Sequence, residues 1–136
     1  MGSEQPILRR EAILAARDIQ TELVPVPEWG GSVMVRGLSG RERDAFEASV
    51  VEQKGKKTEY NLRNVRARFV ALCLVDEAGA RLFTDPADVL LLGNKSARAL
   101  ERVWDKAREL SGLSDEDVEE LAKNSESDQS DDSTSA

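Results

Sequence analysis

An α+β fold, with an N-terminal antiparallel β-hairpin or small sheet followed by a mainly α-helical domain, is what three features of this sequence predict. Val24 and Val26, then Val33 and Val35, alternate with other residues on either side of Glu28-Trp29-Gly30-Gly31, as two short strands joined by a turn do. Ser39-Gly40-Arg41-Glu42 has the spacing of a capping box, in which the serine caps a helix and the glutamate reaches back to it. Between residues 95 and 110, Leu100, Val103, Trp104, Ala107 and Leu110 recur at i, i+3, i+4, i+7 and i+10, the stripe of an amphipathic helix.

The remaining elements follow in order. Ile7 to Ala16 reads as a short amphipathic helix with Leu8, Ala12 and Ala15 near one face. The hairpin is expected over about 19–37. Pro25 and Pro27 lack an amide donor and so place its first strand at an edge. A helix over about 39–53 carries Phe46 and Val50 at i, i+4, and Lys54-Gly55-Lys56-Lys57 reads as a basic, flexible loop. Asn61 can cap a helix over about 61–75 in which Leu62, Val65, Phe69 and Leu72 share a stripe, with Arg63, Arg66 and Arg68 opposite. Asp76-Glu77-Ala78-Gly79 is a turn, and Arg81-Leu82-Phe83 has the makings of a very short strand. Asp85-Pro86-Ala87-Asp88 starts a helix over about 86–92, which Gly93 is suited to stop in a left-handed conformation. Gly112 ends the 95–110 helix, and a last acidic helix is expected over about 114–123. Residues 1–124 then form one globular domain, and 125–136, almost without apolar side chains, a disordered acidic tail.

Composition narrows the function classes. The 136 residues are 40% hydrophobic, 33% charged and only 4% aromatic, which suits a small soluble protein whose core rests on aliphatic side chains. The net charge is −7, and it is unevenly spread: residues 115–136 hold nine acidic side chains and one basic. The preceding body is close to neutral. Such a balance argues against general nucleic-acid binding. No apolar run approaches the roughly 20 residues needed to span a bilayer, and Arg9, Arg10 and Glu11 interrupt the one early apolar cluster, so neither membrane nor secretory signal is expected. The lone Cys73 lies in Phe69-Val70-Ala71-Leu72-Cys73-Leu74, where a thiol behaves as a small buried hydrophobe. There is no histidine, which removes the commonest general base and metal ligand.

No catalytic residue, metal ligand set or cofactor site emerges. Asp76-Glu77 sits in a turn and Asp115-Glu116-Asp117 at a helix start, where carboxylates are expected without any chemistry. Neither supplies the ladder of oxygen ligands that a calcium loop needs. Gly30-Gly31 and Gly37-Leu38-Ser39-Gly40 lack the Lys-Ser/Thr element of a phosphate loop. Arg41, Arg43, Arg63, Arg66 and Arg68 read as solvated helix faces paired with Glu42 and Glu59. Trp104 is a core anchor of its helix. Trp29, beside two glycines, has two uses: packing onto the nearby helix, or anchoring a partner.

In order and spacing the sequence resembles the tail assembly chaperones of long-tailed bacteriophages. The resemblance is carried by Val26-Pro27-Glu28-Trp29-Gly30-Gly31, by Val33 through Arg43, by Leu74-Val75-Asp76-Glu77 with Gly79 and Arg81 through Asp85, by Leu92 through Ser96, by Leu100-Glu101-Arg102-Val103, and by Leu110 through Ser114. It spans roughly residues 10–124. It implies a non-enzymatic helper in the host cytoplasm, absent from the mature virion, that holds the tape measure protein soluble while tube subunits assemble. It also implies a short form of a frameshifted pair, whose extended form would recruit the tail tube protein. Apolar faces drawn from Trp29, Leu62, Val65, Phe69, Leu100, Val103 and Trp104 would form the partner-binding groove on that reading. A homo-oligomer is compatible with apolar helix faces that exceed what one small core buries. The alternative from another class is a small DNA-binding phage regulator, which would need a short-linked helix pair with a basic recognition helix.

Overall fold

The computed structural model describes residues 5–113, and the element order there is mixed α+β with its main sheet early and its long helices later. The expected helix over 114–123 and the acidic tail lie outside the described residues. Strand β1 (Thr21–Val26) and strand β2 (Gly31–Arg36) form the antiparallel hairpin, joined by a single 3-10 turn over Pro27–Trp29. Thr21 faces Arg36 and Val26 faces Gly31, so Val24, Val26, Val33 and Val35 share one face and point into the core. β1 lies at the sheet edge, as its prolines require.

A third strand, β5 (Leu74–Val75), pairs with β2 through Val35↔Leu74 and Met34↔Val75. Sequence periodicity does not announce so short a strand, because its partner is nearly forty residues away. Arg81 pairs with Val75 as one isolated bridge, so the strand expected at 81–83 is reduced to a single rung.

Helix α2 (Gly40–Val50) opens with the expected capping box: Ser39 Oγ accepts from the Glu42 amide, and Glu42 Oε1 accepts from the Ser39 amide. The helix does not run to Gln53. Val51–Lys54 is strand β3, and Lys57–Tyr60 is strand β4, paired from Val51↔Tyr60 to Lys54↔Lys57. The stretch expected to be a flexible basic loop is therefore the turn of a second hairpin.

Helix α3 (Val65–Cys73) starts four residues later than expected. Asn61 does not cap it; its side chain accepts from the Arg63 amide in a local turn. Helix α4 (Pro86–Leu92) begins as expected, with Asp85 Oδ1 accepting from the Ala87 amide. Helix α5 (Ala97–Leu110) carries the amphipathic stripe inward: Ala99, Leu100, Val103, Trp104 and Ala107 are buried. Helix α1 (Arg10–Ala15) is shorter than expected and buries nothing. Leu8, Ala12 and Ala15 do not form a core-facing stripe; they stay exposed.

α5 packs across the core face of β1 and β2 and against α3. Phe69 sits between Phe46 and Trp104, both edge-on at 5.1 Å between ring centroids. Around it lie Val26, Val35, Val50, Val70, Cys73, Leu74 and Val103, all fully buried. Glu28 accepts two bonds from Arg102 Nε, at 2.9 and 3.1 Å, and ties the hairpin turn to α5. At the other end of the hairpin, a Cβ on Gly37 would overlap the Leu110 carbonyl oxygen and stand 2.8 Å from its carbon, so only glycine lets the two backbones meet.

Gly93 is not the left-handed stop that its position suggests; its φ of −63° is helical. It is glycine for space, because a Cβ there would overlap Asn64 Oδ1 and lie 2.7 Å from Nδ2. Asn64 itself has φ 56°, the one positive value on a non-glycine among the described residues. Gly93→Ala requires the Asn64 amide, the end of a side chain, to swing aside, so its expected cost is at the low end of overpacking, about 1 kcal/mol. Asn64→Gly tolerates the same φ and removes the obstructing amide, so the double variant should recover most of that loss in a urea melt.

Candidate functional site

The turn at Asp76–Ala80 sends the chain back across the end of β5 and delivers Leu82 and Phe83 to the surface beside α4. Asp76 Oδ1 accepts from the Ala78 and Ala80 amides and fixes this return. α4 is seven residues long and presents Leu90 and Leu91 outward, 62% and 64% exposed, while Leu92 is buried and holds the helix to the core. Two open clefts result, and Phe83 lines both.

The first, about 490 Å³, has an apolar floor of Leu72, Phe83, Val89 and Leu90 and a rim that includes Arg63, Arg68 and Arg81. The second, about 310 Å³, is walled by Trp29, Val33, Leu82, Phe83 and Leu91, with Lys95 at its edge. Large aliphatic and aromatic side chains left open around a concave surface in this way are what a protein partner uses as anchor points; Ile7, Leu8, Ile13 and Leu14 around α1 are exposed too, but line neither cleft. Among the described residues no three His, Cys, Asp or Glu side chains are grouped as a metal site would need, and no helix is long and apolar enough to cross a membrane.

The electrostatics around the first cleft are set by Glu42. Its carboxylate receives Arg36 and Arg81, as well as the Ser39 amide. Burial alone would push its pKa up; the Ser39 amide, the Arg81 guanidinium and the Arg36 charge outweigh that and lower it to about 2. Arg68 is held differently. Its guanidinium donates to the carbonyls of Asn61, Arg63 and Ser49 and to the Ser49 hydroxyl, so it staples the start of α3 to the end of α2. Burial pulls its pKa below the ordinary value, with Glu52 opposing. Cys73, enclosed beneath this region, has its thiol pushed up to about 12 by burial, with only partial relief from a hydrogen bond to Ser111.

The residues singled out from the sequence divide into three groups. Trp29 stands on a cleft wall and also packs, half-buried, against the core, so both of its anticipated uses are open to it. Leu62 and Val65 are half-buried and line a shallower depression beside Gly93 and Leu100. Phe69, Leu100, Val103 and Trp104 are buried, so in this fold they support the surface rather than form it. The arginines do not gather into one basic face. Arg66 pairs with Glu101 and lies 5.5 Å over the Trp104 ring, and Arg43 pairs with Glu47. The expected acidic partners are Glu42 and Glu59. Glu42 instead serves Arg36 and Arg81, and Glu59 pairs with Lys54.

Sequence reasoning misses Leu82, Phe83, Leu90 and Leu91 as surface residues. The one signal is the unbroken run Leu90-Leu91-Leu92, which is too apolar for a seven-residue helix with a single buried face.

A family model described as phage tail assembly chaperone matches residues 8–124, most of the chain. The chain belongs to the phage tail assembly chaperone family. No curated protein and no solved structure matches it. The matched region takes in both clefts of this tail assembly chaperone, the hairpin that carries Trp29, and the exposed α1.

Proposed function

We propose that this tail assembly chaperone binds an apolar, helix-forming segment of the tape measure protein across the two clefts that meet at Phe83, and so keeps that client soluble while the tail tube assembles. The observation that carries this reading is the continuity of uncovered apolar side chains: Leu82, Leu90 and Leu91 are each at least half exposed, and Trp29 and Phe83 lie between them. A helix laid over such a surface would cover its own apolar stripe, which is the part that otherwise aggregates. Membership of the family supports the chaperone role. On the resemblance to tail assembly chaperones, a second, extended product would recruit the tail tube protein, and the setting proposed for both is the host cytoplasm.

Co-expression with the tape measure protein of the same gene cluster tests this. The client should move from the pellet to the soluble fraction and co-purify with the chain. A minor extended product should appear in the same eluate, and neither should be found in finished particles. Leu90→Asp with Leu91→Asp should reduce client recovery by about tenfold or more, since burying each leucine is worth roughly 1.5–3 kcal/mol. The melting temperature of the chaperone should fall by far less than a core substitution would cause, because both side chains are already mostly exposed. A client that stays equally insoluble with and without the chain would end the proposal.

A further inference from the structure

The first cleft combines an apolar floor with three arginines, and no carboxylate lines it. Arg81 is neutralised by Glu42, but Arg68 spends its hydrogen bonds on carbonyls and a hydroxyl. The cleft is therefore a place for a segment that brings both acid and aliphatic groups. The chain owns such a segment: Asp115-Glu116-Asp117-Val118-Glu119-Glu120-Leu121, five carboxylates around two aliphatic side chains at i, i+3.

Its point of departure is near the cleft. Ser111 Oγ accepts from the Leu38 amide; the next residue, Ser39, is bonded to Glu42; and Glu42 holds Arg81 on the cleft rim. The described residues end at Leu113, two positions beyond Ser111. The exposed arm around α1 also carries three arginines, Arg9, Arg10 and Arg17, but Glu11 and Asp18 offset two of these charges and α1 buries none of its side chains. Charge and concavity both favour the cleft.

We propose that residues 115–121 of the same chain dock in the arginine-rimmed cleft between α3 and α4, with Val118 and Leu121 on its apolar floor and the carboxylates toward Arg63 and Arg68. The segment is then a tethered competitor that a client must displace. That consequence rests on the proposed function; the docking does not, and it is tested on this chain alone.

The experiment attaches a nitroxide to the full chain at Ser125→Cys. Cys73 is enclosed and will not compete for the label. In ¹⁵N-labelled protein the amide signals of Phe83, Val89 and Leu90 should lose more than about half their height relative to the reduced nitroxide. That loss should fall at least about twofold in 0.5 M salt, where the Debye length shrinks to a few ångströms. It should fall similarly in Arg63→Glu, a change at an exposed side chain. Broadening centred on α1, or no localised broadening, overturns the proposal. So does broadening that appears when labelled ¹⁴N chain is mixed with unlabelled ¹⁵N chain, since the occupant is then a second copy.

Discussion

Phe69→Ala is expected to bring this chain close to unfolding at physiological temperature. Phe69 is wholly enclosed and is the ring that Phe46 and Trp104 both meet edge-on. Truncating a buried phenylalanine costs about 3–5 kcal/mol through lost transfer energy and the cavity left behind. Breaking each edge-on aromatic pair adds about 0.5–1.5 kcal/mol, though the effects overlap. Small domains have about 5–15 kcal/mol in all. α2, α3 and α5 meet at this one side chain, so no single element can collapse into the gap without abandoning another. Phe69→Leu, which keeps most of the volume, should cost much less. Thermal and urea melts followed by far-ultraviolet circular dichroism compare the two. An alanine variant that melts within a few degrees of the parent would show that the three helices do not converge there.

The second large effect is expected at Glu42. Its carboxyl has an ordinary pKa of 4.5 and is lowered to about 2 in the fold. Between those values the unfolded chain binds more protons than the folded one, so stability rises with pH across that window. The contribution is fully present above pH 4.5 and is lost as pH falls toward 2. Its upper size at neutral pH is about 3 kcal/mol, because each pH unit separating the two values is worth about 1.4 kcal/mol. Glu42→Gln keeps an acceptor for the Ser39 amide but removes the charge that Arg36 and Arg81 share. The variant should be less stable than the parent at pH 7 and nearly equal to it at pH 2. Urea midpoints measured across that range provide the check; a constant difference at every pH would rule out the charge as the cause.

Local chemistry in the sequence is enough to locate the starts of α2 and α4 and the long amphipathic helix, though not the start of α3, where Asn61 holds a turn instead. Ser39 with Glu42, Asp85 before Pro86, and the stripe from Leu100 to Leu110 each depend on residues within a few positions of one another. Whatever depends on distant partners is hidden. β5 exists because β2 offers it a ladder, and two residues of valine-leucine character carry no period. The β3–β4 hairpin escapes for a different reason. Gly55, with φ 66°, is followed by Lys56 in the tight turn, a glycine-first pair that suits a two-residue hairpin loop. Its strands are mostly polar, so nothing in them interrupts the helical spacing of Phe46 and Val50. The site is half legible for a related reason. Trp29 stands out beside its glycines, whereas Leu82, Phe83, Leu90 and Leu91 look like core residues until the return at Asp76–Ala80 leaves them outside.

The edge position of β1 has a bearing on what such a chaperone must avoid. Gly37 donates to the Gln20 carbonyl, so the inward-bonded residues of the strand are Gln20, Glu22, Val24 and Val26. Thr21, Leu23 and Pro25 therefore turn their backbone toward open water, and at Pro25 there is no hydrogen to give. A foreign strand laid along this edge would find two donors and then a gap, followed by Pro27 and the turn. In the proposed role, beside aggregation-prone chain, such an edge would keep this protein from becoming the seed of the aggregate.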